Sequence, residues 1–271
     1  MTHEPVYLAP LPPIDFIGVV AEGIAACGGR LIEVGAWAAG FDYTDLAALA
    51  KVKKALGAAG VQAYSYHPIF EGQYDIAQLD KTSWEWAIEL NRRQLRAAAA
   101  VGAKYMILHP SGPAKPEEHA ARADRIVAAI DKLLGTCAEV DVNLAVENLP
   151  PGYMGAEIDE LMAMVRAAAS PRVGVCLDTG HANLMKLRLS KVIEHIGERL
   201  FTIHWHDNDR SGDQHKPPGA ADIDWADFYA GLDAIGWDRP ICPEFGPPDG
   251  WTYREYVERI RKALASNGTV V

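Results

Sequence analysis

Val173-Gly174-Val175-Cys176-Leu177-Asp178-Thr179-Gly180-His181 is the stretch on which the fold is read. Five apolar residues, too few for a helix, stop abruptly on an acid, a turn pair and an imidazole. An uninterrupted apolar run of that length marks a strand covered on both faces, as in a parallel sheet. The plan recurs in both directions. Upstream, Asn143-Leu144-Ala145-Val146 closes on Glu147-Asn148, Lys104 to Leu108 on His109-Pro110, and Val61 to Tyr66 on His67-Pro68. Downstream, Leu200 to Ile203 closes on His204-Trp205-His206-Asp207-Asn208, and Pro240-Ile241-Cys242 runs into Pro243-Glu244. Leu31 to Val34 and, among crowding prolines, Val6-Tyr7-Leu8 complete eight candidate strands.

Helix-like segments separate them: Asp15–Cys27, Thr44–Ala59, Thr82–Val101, Pro116–Val140, Ala156–Ala169, Asn183–Gly197, Asp224–Ile235 and Thr252–Ala265. Pro116 followed by Glu117-Glu118 suits a first helical turn. Strict βα alternation predicts a parallel sheet with helices outside. Eight units in 271 residues predict a closed (β/α)8 barrel of the α/β class, one domain over 1–271 with no linker inside it.

The chain has 26 Lys plus Arg against 36 Asp plus Glu, a formal charge of −10. That balance counts against nucleic acid as a partner, because nucleic-acid binders usually carry a basic face. Cys27, Cys137, Cys176 and Cys242 form no Cys-x-x-Cys motif, so they read as separate thiols in a reducing compartment. The first residues, MTHEPVYLAPLPPIDF, have neither a basic region nor an apolar run of signal-peptide type. The apolar stretch Ile17–Gly29 is too short to span a bilayer. The expectation is a cytoplasmic protein with no membrane partner. Trp84-x-Trp86 on a helix suggests a face for a homo-oligomer, against burial in the barrel wall.

In a barrel, chemistry sits at the C-terminal ends of the strands. Six consecutive strands here end in His, Glu or Asp. His67, His109, His181, His204 and His206, five of the nine histidines, fall at these ends, and His215 follows in the next loop. One such residue alone reads as a capped structural side chain. Together they would crowd carboxylates and imidazoles around one axis, where unpaired charge is costly. A bound divalent cation removes that cost. Mixed carboxylate and imidazole donors suit manganese, cobalt, magnesium or zinc.

Four stretches, Leu144-Ala145-Val146-Glu147-Asn148, Cys176-Leu177-Asp178-Thr179-Gly180-His181, His204-Trp205-His206-Asp207-Asn208 and Asp222-Ile223-Asp224-Trp225, carry a family likeness. The sequence resembles the xylose-isomerase-like TIM-barrel superfamily over nearly its whole length, Asp15 to Leu264. That group holds sugar and sugar phosphate isomerases and epimerases, and the AP-endonuclease family 2 enzymes. The epimerase pattern implies metal ligands Glu147, Asp178, His204 and Glu244, with Glu147 and Glu244 also the acid/base pair. It implies substrate contacts from His181 and Arg210, and His67 and His109 stand as further candidates. The endonuclease pattern implies three zinc ions and adds His67, His109, His181, Asp213 and His215. Two departures stand out. Ala221 replaces the second glycine of a Pro-Gly-x-Gly turn, and the epimerases' extra glutamate after strand five has no counterpart near Tyr153.

The two chemistries need different surroundings. A nuclease holds phosphates with Lys and Arg. The loops after strands three and five are poor in both, and Lys115, Lys186, Arg188, Arg210 and Lys216 are scattered. Phe70, Tyr74, Tyr153 and Trp205 are candidates to wall a small pocket, or else to pack the barrel loops. The resemblance therefore implies a small sugar or sugar phosphate as substrate and a divalent cation as cofactor. The reaction would be proton abstraction α to a carbonyl through an enediolate, with lyase or dehydratase outcomes open from the same intermediate. Abasic-DNA cleavage at a trinuclear zinc centre is the alternative. A protein that kept the ligands but only binds sugar or metal is the third reading.

Overall fold

A computed structural model describes residues 3–10, 17–36 and 42–271. Eight parallel strands lie in sequence order: β1 Val6–Pro10, β2 Leu31–Gly35, β3 Gln62–His67, β4 Tyr105–Leu108, β5 Asn143–Glu147, β6 Val173–Asp178, β7 Leu200–Trp205 and β8 Cys242–Pro243. The sheet comes back on itself. Val6 N donates to Ile241 O at 2.8 Å and Ile241 N to Glu4 O at 3.0 Å. The fold is a (β/α)8 TIM barrel.

Nine helices among the described residues connect and cover the strands: α1 Ile17–Ala26, α2 Leu46–Ala58, α3 Lys81–Val101, α4 His119–Val140, α5 Ile158–Ala167, α6 Thr179–Leu184, α7 Leu189–Ile196, α8 Trp225–Ala234 and α9 Tyr253–Ala265. Carboxylates and a hydroxyl fix several starts. Asp45 accepts from Ala48 N, Asp80 from Ser83 N, and Thr252 forms a capping box with Glu255. The main core lies between sheet and helices, with Ile24, Val34, Leu49, Leu95, Ile130, Leu161, Ile193, Phe228 and Ile260 among its members. A second cluster of Tyr105, Ile107, Ala145, Cys176 and Phe201 fills the barrel interior.

Two expected helices are corrected. The segment expected as one helix over Asn183–Gly197 is two. α6 starts directly from strand β6, because the Asp178 carboxylate caps the His181 N–H at 2.6 Å. It stops before Lys186, whose φ of 59° lies in the left-handed region. The helix expected from Pro116 opens with a 3₁₀ turn over Pro116–Glu118, and α4 proper begins at His119. The start of the helix expected from Asp15 lies outside the described residues. Trp84 is buried, and its indole donates to Arg125 O at 3.2 Å, whereas Trp86 is half exposed with Arg93 over its ring.

Asp207 organises the long connection from β7 to α8. It is fully buried, and its carboxylate accepts from Gly219 N, Ala221 N, Ile223 N and Trp225 Nε1 at 3.0–3.3 Å. Ala221 thus keeps its backbone donor in the turn. Replacing Asp207 by Ala strands four donors, two of them (Ile223 N and Trp225 Nε1) buried, so unfolding in urea should show a loss of roughly 3–5 kcal/mol. Asp207→Asn should lose less.

Candidate active site

Side chains alternate across a strand, so residues two apart share a face. Stepping up each strand from the interior cluster leads to the candidates: Ile107 to His109, Ala145 to Glu147, Cys176 to Asp178. The paired positions Asp178↔His204 and His204↔Cys242 carry the series to β8, and two residues on stands Glu244. Two register shifts re-aim the layer. Between β2 and β3 the register jumps so that Glu33 pairs with Ser65, and between β6 and β7 so that Cys176 pairs with Thr202.

At the centre stands His204, fully buried. Its Nδ1 lies 3.3 Å from Glu147 Oε1 and 3.1 Å from Glu244 Oε2. Its Nε2 lies 3.1 Å from Glu33 Oε1. His109 Nε2 approaches Glu147 Oε2 at 3.1 Å, and His67 Nε2 at 3.9 Å. The first of these approaches is not aligned as donor and acceptor. Glu147 Oε2, Glu244 Oε2 and His109 Nε2 are all buried with no hydrogen-bond partner among the described residues. Ligand atoms of His67, His204 and Glu244 lie within 4.8 Å of one another, as do those of His67, His109 and Glu147. Buried carboxylate oxygens and an imidazole nitrogen that converge without hydrogen-bond partners fit a divalent cation.

Asp178 stands to one side of this group. Its Oδ1 caps α6 and its Oδ2 accepts from His206 Nε2 at 2.9 Å. Farther out, His181 and His215 both reach Asp213 Oδ2, at 3.4 and 3.1 Å, and the His206 and His215 rings stack at 4.1 Å. Backbone carbonyls orient three of the imidazoles. His67 Nδ1 faces Pro68 O, His181 Nδ1 faces Asn148 O, and His215 Nδ1 faces Glu244 O at 2.6–3.1 Å. A carbonyl only accepts, so Nδ1 carries the proton and Nε2 is presented to the site.

The charges are strongly coupled. Burial would raise the Glu147 carboxyl, but His204 and His109 hold it well below the usual range. Burial opposes charge on His181, yet Asp178, Asp213 and Glu147 raise it to about 10. His215 is raised to about 9 against its burial, chiefly by Asp213 and Glu244. His67 is lowered by burial and by its neighbour His109.

Above these groups opens a cavity of about 480 Å³. His67, His109, Glu147, His181, Asp213, His215 and Glu244 line it, with Phe70, Glu71, Leu149, Pro150 and Tyr153 as walls. Arg210 is not brought in: it lines a separate groove and its Nε donates to Asn183 Oδ1 at 3.0 Å. Of the aromatics, Phe70 and Tyr153 reach the cavity. Tyr74 instead pairs with Tyr43, and Trp205 is buried against Trp225 and Phe245. The sequence reading did not assign His206 a role. Glu33 does not line the cavity; it meets His204 inside the barrel. His206 had a signal, its place two residues after His204.

A family model described as "Xylose isomerase-like TIM barrel" matches residues 21–266. The chain belongs to this family. Within it, L-ribulose 3-epimerase of Methylomonas sp. (strain DH-1) is 26% identical over 239 residues, 81% of this chain and 79% of that one. A solved structure of an L-ribulose 3-epimerase superposes with a TM-score of 0.79 at 17% identity, covering 98% of this chain and 94% of that chain. A "Probable endonuclease 4" of Mycoplasma pneumoniae (strain ATCC 29342 / M129 / Subtype 1) is 28% identical over 106 residues, 39% of this chain and 37% of that one.

Gly180 carries a local requirement of this family member. A Cβ there would overlap the His206 ring and crowd Asn208 Nδ2. Gly180→Ala should lower stability by about 1–3 kcal/mol in urea unfolding. Gly135, in α4 with no atom within 4 Å of an added Cβ, is the control: Gly135→Ala should raise stability by about 0.5–1 kcal/mol.

Proposed function

We propose that the chain is a divalent-metal-dependent epimerase or isomerase of a small sugar. One observation carries this: Glu147 and Glu244 approach the same nitrogen of His204 from two strands, at the floor of a cavity sized for a small molecule. Glu147, His204 and Glu244 would hold the cation, joined by Asp178 if it exchanges His206 for the ion. Such a cation supplies Lewis acidity to a carbonyl and its neighbouring hydroxyl. Glu147 and Glu244 face the substrate position from different strands. One takes the proton α to the carbonyl and the other returns it, on the opposite face in an epimerisation. Protonated His181 stabilises negative charge on the substrate oxygens. Similarity to an L-ribulose 3-epimerase over most of both chains supports a sugar as substrate.

No Lys or Arg lines the cavity among the described residues. The three segments outside the description, Met-Thr at 1–2, Leu-Pro-Pro-Ile-Asp-Phe at 11–16 and Trp-Ala-Ala-Gly-Phe at 37–41, contain neither residue. A phosphoryl group carries nearly two negative charges and calls for such a partner. The free sugar is therefore favoured over its phosphate. The absence of Lys and Arg also weighs against DNA, whose phosphates are commonly held by them.

The trinuclear zinc reading retains one specific observation. His67, His109 and Glu147 cluster on one side of the cavity, and His181, Asp213 and His215 on the other. Metal analysis and a nicking assay on abasic duplex DNA separate the two. The expected result is turnover of one or more ketoses by the Mn²⁺-loaded protein and no nicking. Glu244→Gln should lower kcat by about 10²–10⁴-fold. Wild-type turnover in that variant, or nicking without ketose turnover, refutes the proposal.

A further inference from the structure

Glu33 lies beneath the cavity, not on its wall. The carboxylate is fully buried inside the barrel, a costly place for a charge unless its oxygens are engaged. Both are. Ser65 Oγ donates to Oε2 at 2.6 Å, and His204 Nε2 lies 3.1 Å from Oε1 and 3.4 Å from Oε2. A carboxylate already accepting from Ser65 takes a second donor in the same way, so the contact reads as Nε2–H of His204 donating to Glu33. Its other nitrogen, Nδ1, faces away from Glu33 and lies between Glu147 Oε1 and Glu244 Oε2, so it is the nitrogen that a cation held by those carboxylates would meet, in exchange for any proton Nδ1 shares with them.

The opposite orientation holds for the outer imidazoles. His67, His181 and His215 are gripped at Nδ1 by backbone carbonyls. Among the described residues no backbone carbonyl pairs with a His204 ring nitrogen, and Nε2 meets the Glu33 carboxylate instead. A side chain from another strand has to do the orienting. The register shift between Ile32 and Glu33 brings the Glu33 and Ser65 positions side by side for this.

We propose that Glu33, braced by Ser65, is a positioning residue that sets the tautomer of His204 and so chooses Nδ1 as the nitrogen offered to a divalent cation. This rests on reading the site as a metal site. Orienting partners of this kind are worth about 10–100-fold in metal affinity.

Calorimetric titration of the full-length protein with Mn²⁺ reads the effect directly. Glu33→Leu, close in size and without an acceptor, should weaken Mn²⁺ about 10–100-fold. Glu33→Gln keeps an oxygen that can accept from Nε2–H and should fall between Glu33→Leu and wild type. In ¹⁵N-histidine spectra of Zn²⁺-loaded wild type, the His204 proton should reside on Nε2, and that preference should be lost in Glu33→Leu. Should Glu33→Leu fail to fold, Ser65→Ala carries the test with an expected loss of about two- to ten-fold. Unchanged Mn²⁺ affinity in a folded Glu33→Leu, or in Ser65→Ala if Glu33→Leu does not fold, overturns the proposal. So does a wild-type His204 protonated on Nδ1, or a wild type that takes up no Mn²⁺. Neither readout needs turnover, so failure of the enzymatic reading and failure of this one are told apart.

Discussion

Buried carboxylates need compensating charge. Glu33, Glu147, Asp178 and Glu244 are all buried at the upper end of one barrel, where desolvation penalises each ionised group. The chain meets that penalty with imidazoles. His204 touches three of the four, and His206 engages Asp178 while standing 3.9 Å from Glu244. The pairing remains incomplete. Lone pairs on Glu147 and Glu244 face inward without a donor among the described residues. A site that is compensated by histidine yet still short of positive charge suits a cation.

The scaffold reads as the means to this arrangement. The interior cluster of Tyr105, Ile107, Ala145, Cys176 and Phe201 is an apolar plug, and the polar layer begins one step above it on each strand. Register shifts at Glu33 and Cys176 turn extra residues inward where regular pairing would not. Asp178 works on two levels: its backbone ends a strand while its side chain starts a helix and holds His206. Asp207, on the next loop, does a purely structural task, and it ties down the turn in which Ala221 stands in place of glycine.

The walls of the cavity set what can enter. Phe70 packs against His109 with ring centroids 4.0 Å apart, and Tyr153 reaches over to Glu71 on the facing loop with a hydrogen bond of 3.3 Å. Tyr153 stands near the place where the epimerase pattern has a glutamate, and the carboxylate beside it comes from the β3 loop. Glu71, Glu147, Asp213 and Glu244 share the cavity surface with the imidazoles of His67, His109, His181 and His215, so the cavity presents polar groups of both signs.

Most of the fold and the ligand types were legible in the linear chain. Apolar runs of four to six residues closing on His67, His109, Glu147, Asp178, His204 and Glu244 announced both the parallel strands and the shared rim, because alternation along a strand is a local property. Local chemistry did not announce which of these side chains would meet. The Glu33–His204 contact joins residues 171 positions apart and depends on a register shift that no residue type signals. Arg210 looked like a site residue by spacing, but its backbone, at a φ of 65°, carries it to Asn183 instead. Asn183–Gly197 looked like one helix until the Asp178 cap drew the chain into a turn of its own. Sequence determined which chemical groups crowd the rim. Tertiary structure alone decided which of them touch, since strand register and loop path are fixed by the packing of the whole barrel.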